Sequence, residues 1–270
     1  MVDESSLPPT PTRLLPLLGT RWLGRAFDWQ AACASTNDLA AARGRAGAPE
    51  GLVVAADAQS GGRGRLGRTW HSPAGESLYF SILLRPARPA AEVPPLTLLA
   101  GAAVARALAD LGLAPRLKWP NDVLLVEQKT QASRARKVAG ILTEMSSEGE
   151  RVGQVVVGIG LNANGLDFPD EIADRATSLR RVAGQAFDRA RVLAAVLAAF
   201  EPLYEEFRAG GPAAAVRAWQ GHASLGDRWR VNAPGQPVEG IALGIDPDGA
   251  LRLRDDAGVV HRILSGEVTA

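Results

Sequence analysis

The sequence predicts an α/β domain followed by a small all-β module. Short apolar runs, typical of strands, alternate with two long helical patterns as far as about residue 222. From about residue 224, short alternating strands are separated by PG, DPDG and DAG turns, and no helical pattern returns. The chain has 270 residues and is 46% hydrophobic, which is enough for one large domain and one small one. We therefore expect an α/β domain with a β-barrel appended.

The first third of the chain predicts a tail, a helix and two strands. Residues 1–25 are expected to be an N-terminal tail, because three prolines between positions 8 and 11 interrupt any helix. ASTNDLAAARGRAG begins a helix, with Ser35 or Thr36 as its N-cap. LVVAAD (52–57) and SLYFSILLRP (77–86) have the composition of strands.

The middle of the chain continues the alternation. A mostly apolar helix is predicted over 96–113, and a strand over 116–126 that is broken at Trp119-Pro120. Two further strands are KVAGILTEM and VGQVVVGIGLN, with SSEGE as the hairpin turn between them. A helix over 188–208 should be kinked or split by Pro202, and a shorter one covers about 212–220. The expected division is a tail over 1–25, a catalytic domain over 26–222 and a barrel over 223–270.

Composition excludes several classes of function. The net charge of +1 is too small for a protein that coats nucleic acid, so any basic function must be local. The single cysteine, Cys33, permits no disulfide framework and no CxxC metal site, which fits a reducing compartment. No signal sequence is recognisable, and no apolar run approaches the ~20 residues that cross a membrane. These features predict a cytoplasmic protein that does not bind a membrane.

The segment GGRGRLGRTW (61–70) has the clearest chemical content. Its glycines allow tight turns and leave backbone N–H groups free to face an anion. Arg63, Arg65 and Arg68 can hold phosphate or carboxylate oxygens, and Trp70 can stack on a base or form a pocket wall. The segment therefore predicts a mobile loop that closes over a phosphate-containing ligand. The alternative is a basic segment that is solvated or contacts RNA.

Three further motifs are weaker when each is taken alone. In KWPND, Asp122 can orient a ligand or hold Mg²⁺ near phosphates, although Asn-Asp after proline is also an ordinary turn. In KVAGIL, Lys137 can neutralise a carboxylate and a phosphate, or it can be a solvated strand end. In GIGLNAN, the glycines Gly158 and Gly160 allow a flat ligand against the sheet, and Asn162 can bond a phosphate or ribose. The alternative there is a strand that ends in an Asn-Gly turn.

The joint order of these motifs is far more specific than any one of them. ASTN, QSGGRGRLGRTW, KWPND, KVAGIL, GIGLNAN and a small β module follow one another over about residues 28–268. This arrangement resembles the biotin protein ligases. The resemblance implies a mixed sheet flanked by helices, like that of class II aminoacyl-tRNA synthetases, and an SH3-like C-terminal barrel.

The resemblance also implies an activity. The family joins biotin to ATP, producing biotinyl-5′-AMP and pyrophosphate, and transfers biotin to one lysine of a carrier domain. ATP and Mg²⁺ are therefore the implied cofactors, and the biotin carboxyl carrier protein of acetyl-CoA carboxylase or a related carboxylase is the implied partner. The protein is expected to be a monomer or homodimer.

The resemblance also implies roles for the residues of this sequence that match the family's motifs. Lys137 and Arg63 are implied as the catalytic residues, because they would screen the repulsion between the biotin carboxylate and the triphosphate. The residues implied for biotin are Ser35, Thr36, Asn37, Gln59, Gly62, Arg63, Gly64, Arg65, Lys137, Gly140 and Gly158. Those implied for ATP are Arg65, Arg68, Trp70, Asn121, Asp122, Lys137 and Asn162.

Some features depart from the family pattern. Many relatives carry an N-terminal helix-turn-helix, and the short start of this chain predicts a ligase that does not bind DNA. Leu66 stands where a further basic residue is common. The polar linker over 127–136 looks longer than usual. The competing interpretations are a lipoate or octanoate ligase or transferase of the same fold, an RNA-binding protein, and a biotin-sensing module without transfer activity.

Overall fold

A mixed seven-stranded sheet forms the centre of the larger domain. The structure is a computed structural model that describes residues 7–127, 134–148, 151–223 and 225–269. The strands are β1 (Phe27–Cys33), β2 (Val53–Gln59), β3 (Leu78–Leu84), β4 (Arg116–Lys118), β5 (Asp122–Val126), β6 (Ala135–Glu148) and β7 (Arg151–Leu161). Their order is β1-β2-β3-β7-β6-β5-β4, and β1 and β2 are parallel while the other neighbours are antiparallel.

Helices cover both faces of this sheet. They are α1 (Pro11–Leu14), α2 (Thr36–Arg45), α3 (Leu96–Asp110), α4 (Leu179–Ala183), α5 (Arg189–Gly210) and α6 (Pro212–Gln220). Because successive strand residues face opposite sides, Val53 belongs to the core under α3 and α5, whereas Val54 packs with Ala40 of α2. Burial on both faces explains why every residue of β3 is apolar or small and buried. The predicted mixed sheet flanked by helices is confirmed.

A second, five-stranded antiparallel sheet forms the C-terminal module. Its strands are β8 (Arg228–Asn232), β9 (Pro237–Ile245), β10 (Leu251–Arg254), β11 (Val260–Ile263) and β12 (Glu267–Thr269), in the order β11-β10-β9-β8-β12. Burial alternates along β8 and β10, as expected for strands with one wet face. The module contacts the larger domain through Trp119, whose Nε1 donates to the carbonyl of Gly249 at 3.0 Å.

Several predicted elements differ in detail from the structure. The predicted broken strand is a β4–β5 hairpin that turns at Trp119-Pro120, a cis peptide. The prediction that Pro202 splits its helix is wrong, because α5 runs through it without a break. β1 was not predicted, since FDWQAAC at the sheet edge is only partly buried and lacks an apolar run. Residues 128–133 of the polar linker and 149–150 of the SSEGE turn lie outside the described residues.

The segment predicted as an N-terminal tail packs into the domain. Leu14 and Leu23 are fully buried in the main core. The carboxylate of Glu201, on α5, accepts backbone N–H groups of Arg21, Trp22 and Leu23 at 2.9–3.1 Å. These bonds lower the pKa of Glu201, although burial acts in the opposite direction. A charged anchor on α5 therefore fixes this part of the predicted tail.

One helical stretch is long and apolar enough to cross a membrane, although the sequence predicts no such segment. Of the residues the structure describes, only the helical stretch 90–110 is long and apolar enough to cross a membrane. In its most apolar window, 72% of the residues are buried inside the protein, and α3 is the central helix of the main core. Its apolar composition is therefore explained by burial against the sheet, α5 and α6.

Candidate active site

One cavity of about 1020 Å³ lies where the predicted motifs converge. The N-terminus of α2, the arginine loop, the β4–β5 turn, β6, β7 and β12 all contribute to its walls. Every predicted site residue lines it except Gly62. A Cβ atom on Gly62 would lie 2.6 Å from the carbonyl oxygen of Trp70, so that glycine permits a close backbone approach within the loop. The cavity therefore brings together motifs that are far apart in sequence, from Ser35 to Asn162.

One end of the cavity, which we call the amide end, is lined by Thr36, Asn37 and Gln59, and the buried Ser81 lies behind them. Ser35 is the N-cap of α2, as predicted, and its Oγ lies 3.5 Å from the N–H of Asp38. The backbone N–H of Thr36 donates to Gln59 Oε1 at 2.8 Å, and Gln59 Nε2 donates to Ser72 Oγ at 3.1 Å. These bonds fix the Gln59 amide, so its carbonyl oxygen faces the start of α2.

Asn37 reaches from α2 across to the central strands. Its Nδ2 donates to Glu144 Oε2 at 2.6 Å and to the carbonyl of Leu142 at 3.3 Å. A Cβ on Gly158 would overlap the Asn37 amide, so the glycine makes room for this side chain. A side chain of the protein therefore occupies the space next to Gly158, and the contact of this glycine with a flat ligand stays a prediction.

The opposite end, which we call the ionic end, consists of Arg65, Arg68, Asp122, Lys137 and Glu267. Lys137 Nζ lies 2.6 Å from Asp122 Oδ1, and Lys118 Nζ lies 3.4 Å from Asp122 Oδ2. The bulge in the β5–β6 pairing falls at Val123/Leu124, beside Lys137. An ammonium group held in this way can move from Asp122 to a bound anion.

Trp70 lies between the two ends. Its ring covers Gly140 and Gly160, because a Cβ on either glycine would meet the indole. Lys137 Nζ is 5.2 Å from the centre of the ring, a distance typical of a cation–π contact. The indole Nε1 is buried and has no hydrogen-bond partner among the described residues. The indole nitrogen therefore lies against the backbone of Gly160, and Gly140 makes room for the indole ring.

The arginine loop folds as a narrow hairpin. Gly64 N–H donates to the Arg68 carbonyl at 2.7 Å, and Trp70 N–H donates to Gly62 at 2.9 Å. Leu66, at the tip, has a φ of 56° and is 76% exposed. That left-handed conformation costs energy for a residue other than glycine, so the loop holds Leu66 under strain.

The three loop arginines have different partners. Arg63 binds both oxygens of Asp38 at 2.7 Å and reaches Glu144 at 3.1 Å. The bond to Asp38 raises the pKa of Arg63 and lowers the pKa of Asp38. Two carboxylates hold Arg63 in this structure, and its role in screening the reacting anions stays a prediction. Arg63 anchors the loop to α2 and β6.

Arg68 and Arg65 contact the C-terminal module. Arg68 forms a bidentate ion pair with Glu267, which raises the pKa of Arg68 and lowers that of Glu267. Arg65 is within 3.4 Å of Asn121 Oδ1 and 3.3 Å of the Gly266 carbonyl. Within the described ranges it forms no ion pair with a carboxylate, and burial lowers its pKa. Arg65 is therefore the loop arginine available to an anionic ligand.

Two predicted asparagines hold backbone in place. Asn121 Nδ2 donates to the Ile141 carbonyl at 2.9 Å, and Asn162 Nδ2 donates to the Thr177 carbonyl at 3.0 Å. The segment around Thr177 also pairs with the backbone of Lys137, through bonds from Lys137 N to Arg175 and from Thr177 N to Lys137. Both asparagines line the cavity, but their amide nitrogens fix its walls.

Sequence reasoning missed part of the lining. The missed residues include Lys118 and Tyr79 and lie mainly in the segment after β7 and in β12: Asp167, Phe168, Ile172, Asp174, Arg175, Ala176 and Glu267–Thr269. The LDFPDEIADRA segment has no periodicity and no motif of its own. Lys118 was detectable, since it stands inside the KWPND motif.

The acidic groups near the cavity do not form a cage for a metal ion. Among the described residues, no group of three or more His, Cys, Asp or Glu side chains is placed to hold one. Asp122 is paired with two lysines and Glu267 with Arg68. The donor set fits Mg²⁺ as an ion carried by a ligand's phosphates, and Asp122, predicted from the sequence for this role, lies at the ionic end.

Two family models match the chain. The Biotin/lipoate A/B protein ligase family matches residues 31–162, and the Biotin protein ligase C terminal domain matches residues 225–269. The biotin--[acetyl-CoA-carboxylase] ligase of Mycobacterium tuberculosis is 36% identical over 282 residues, covering 99% of this chain and 98% of that protein. The bifunctional ligase/repressor BirA of Bacillus subtilis is 38% identical over 255 residues, covering 93% of this chain and 76% of that protein.

A solved structure gives the same result. The biotin protein ligase of Aquifex aeolicus in complex with biotin and ATP has a TM-score of 0.75 and 31% identity to this chain. The match covers 91% of this chain and 98% of that one. The chain belongs to the biotin protein ligase family.

Proposed function

We propose that this protein is an ATP-dependent biotin ligase acting on a carrier protein. The observation that carries the proposal is the pairing of two chemistries in one cavity. The amide end presents hydrogen-bonding groups suited to a neutral polar ring, and the ionic end presents Lys137 and Arg65, suited to anions. Biotin has a cyclic urea at one end and a carboxylate at the other. The cavity volume of about 1020 Å³ leaves room for a nucleotide beside it.

The first step is attack by a biotin carboxylate oxygen on the α-phosphorus of ATP. The new bond joins the carboxylate oxygen to the α-phosphorus. The bond between the α-phosphorus and the oxygen that bridges it to the β-phosphorus breaks, and pyrophosphate leaves. Two anions must approach each other, so cationic groups at the point of contact lower the barrier. Lys137 would leave Asp122 to do this, and Arg65 would hold the α-phosphate. Mg²⁺, carried by the phosphates, would neutralise further charge.

The second step transfers biotin to the carrier. The ε-amine of an acceptor lysine attacks the acyl carbon, AMP leaves with the electron pair, and the amine loses a proton. The adenylate is a mixed anhydride that water destroys, so the loop must cover it until the carrier arrives. Anchoring of Arg63 by Asp38 and Glu144, and of Arg68 by Glu267, supports this covering role.

The remaining predictions extend this proposal. The acceptor is the biotin carboxyl carrier protein of acetyl-CoA carboxylase or of a related carboxylase. The division into 26–222 and 223–270 is supported by the two separate sheets. A cytoplasmic location, a monomeric or homodimeric state and the absence of DNA binding stay predictions.

The test is formation of an acyl-adenylate from α-labelled ATP. Purified protein is incubated with Mg²⁺ and biotin, and in parallel with octanoate or lipoate. The expected product is labelled biotinyl-5′-AMP, and no labelled adenylate is expected from octanoate or lipoate. Adenylate formed from octanoate or lipoate instead would assign the protein to the neighbouring branch of the fold. A folded sample that makes no adenylate from any of the three acids would contradict ligase activity.

A further inference from the structure

The amide end contains a chain of hydroxyl groups whose single protons can be assigned by counting. Ser81 is fully buried in β3 and does not line the cavity. Its Oγ lies 2.6 Å from Asn37 Oδ1 and 2.8 Å from Thr36 Oγ. Thr36 Oγ lies 3.1 Å from Gln59 Oε1. The two hydroxyls have one proton each to donate. Two protons cannot form three hydrogen bonds, so one of the three contacts lacks a proton.

The orientation of the Asn37 amide determines the direction of the chain. Its Nδ2 faces Glu144 and the Leu142 carbonyl, which are acceptors, so the oxygen must face Ser81. An amide oxygen accepts only, and two oxygens 2.6 Å apart need a proton between them. The Ser81 proton therefore lies on the bond to Asn37. Thr36 must then donate its own proton to Ser81.

The same counting applies to Gln59. Its Oε1 accepts the Thr36 N–H at 2.8 Å, and its Nε2 donates to Ser72, which in turn donates to the Trp70 carbonyl at 3.0 Å. The amide cannot be flipped without placing two N–H groups against each other. Thr36 Oγ and Gln59 Oε1 are thus two acceptors 3.1 Å apart with no proton between them.

We propose that Ser81, held by Asn37, is a positioning residue that turns the Thr36 hydroxyl into a pure acceptor toward the cavity. Thr36 Oγ and Gln59 Oε1 then form an acceptor pair that selects a ring N–H on the ligand. This inference rests on the proposed function: the family resemblance already implies that Thr36 and Gln59 belong to the biotin site, and the role of Ser81 is the new element. An octanoyl or lipoyl chain has no N–H to offer, so the same pair selects against these acids.

The test compares biotin with its two cyclic carbamate analogues, in each of which oxygen replaces one ring N–H. Dissociation constants are measured by calorimetry for wild type and variants. Wild type is expected to bind one of the two carbamates about 10- to 100-fold more weakly than biotin, because two lone pairs would face its ring oxygen. In Ser81→Ala the Thr36 hydroxyl is free to turn and donate. The ratio of the dissociation constant of that carbamate to that of biotin should therefore fall to about threefold or less.

A double-mutant cycle separates positioning from general damage. In a Thr36→Val background, Ser81→Ala should leave the biotin-to-carbamate ratio unchanged, because no hydroxyl remains to be turned. Ser81→Cys, with a weaker donor of similar shape, should give an intermediate ratio and provides the test if Ser81→Ala does not fold. Thr97→Val removes another hydroxyl pair, 2.9 Å from Thr143 Oγ, and should leave the ratio as in wild type.

Three results would overturn the inference. They are equal wild-type affinity for biotin and both carbamates, a Ser81→Ala ratio equal to wild type, or the same Ser81→Ala effect in the Thr36→Val background. Each of these is compatible with normal biotin-dependent adenylate formation, so the proposed function would survive. A wild-type protein that binds neither biotin nor the carbamates would reject both proposals together.

Discussion

The two ends of the cavity solve the problem of binding in opposite ways. At the amide end, buried uncharged side chains are fixed by one another and by Glu144, which accepts from Asn37, and Thr36 and Asn37 are 4% and 5% exposed. At the ionic end, the cations are held by carboxylates that belong to the protein, as in the pair Lys137–Asp122. A neutral network keeps its geometry before a ligand arrives, whereas an ion pair must exchange partners. The difference indicates that recognition belongs to the first end and chemistry to the second.

The largest effect is expected from removing the ammonium group of Lys137 at the ionic end. Lys137→Ala removes the ammonium that meets the developing charge, and adenylate formation should fall by about 10³-fold. Biotin binding, measured by calorimetry without ATP, should change only a few-fold, since the amide end is intact. Lys118→Ala, which removes the other cation on Asp122, is the matched control and should cost far less. Normal adenylate yield in Lys137→Ala would remove this residue from the mechanism.

The next largest effect is expected from displacing Asn37 at the amide end. A methyl group at Gly158→Ala would overlap the Asn37 side chain and displace it from β7. Biotin affinity should fall by about tenfold or more, because Thr36 loses its orientation through Ser81. Gly210→Ala is the control, since nothing lies within 4 Å of that Cβ position. Unchanged biotin affinity in Gly158→Ala would separate Asn37 from recognition.

A smaller effect distinguishes two arginines of the same loop. Arg65→Ala should release adenylate into solvent about tenfold faster, because Arg65 is the arginine without a carboxylate partner in the described part of the chain. Arg63→Ala should have a weaker effect on the same lifetime, since it loosens an anchor and removes no ligand contact. The lifetime is measured by trapping free biotinyl-5′-AMP. Equal effects would mean that both arginines act only as anchors.

The smallest effect is the pH dependence of the loop anchor. Arg63 lowers the pKa of Asp38 below its ordinary value of 3.8, so the stabilisation is complete above that value and is lost as pH falls through the lowered one. The pair is largely exposed, which limits the contribution to about 1 kcal/mol or less. The stabilities of wild type and Asp38→Asn, measured by thermal unfolding, should differ at pH 7, and the difference should shrink as the pH falls below 3.8. A difference that stays constant across the acid range would contradict this assignment.

Much of the fold follows from local pattern. The helices capped by Ser35 and Asp188 and the strands around Val53, Phe80 and Val157 have apolar periodicities that match their burial. β1 could not be predicted, because its pairing with β2 is a long-range contact at a partly buried edge. Pro202 did not split α5, since packing against α3 and the sheet outweighs the loss of one backbone bond.

The composition of the site was predictable, but its internal pairing was not. Fifteen of the sixteen motif residues line one cavity, because strand pairing and the start of α2 bring the motifs together. The sequence could not show that Asp38 and Glu144 hold Arg63, or that Gly158 accommodates Asn37. Those contacts depend on register between β6 and β7, and a shift of one residue would reverse each side chain.

The contact of β12 with the rest of the site has a consequence for the newly synthesised chain. The Val268 carbonyl that accepts Lys118 Nζ stands 150 residues later in sequence, and the Gly266 carbonyl stands 201 residues after Arg65. While the ribosome is still adding residues 223–265, the large sheet can already form, but one wall of the cavity has not been made. A nascent chain at this stage cannot secure the loop through Glu267. Because the exit tunnel of the ribosome holds the residues added last, we expect the adenylate to be covered only after β12 has left the ribosome and packed against the larger domain.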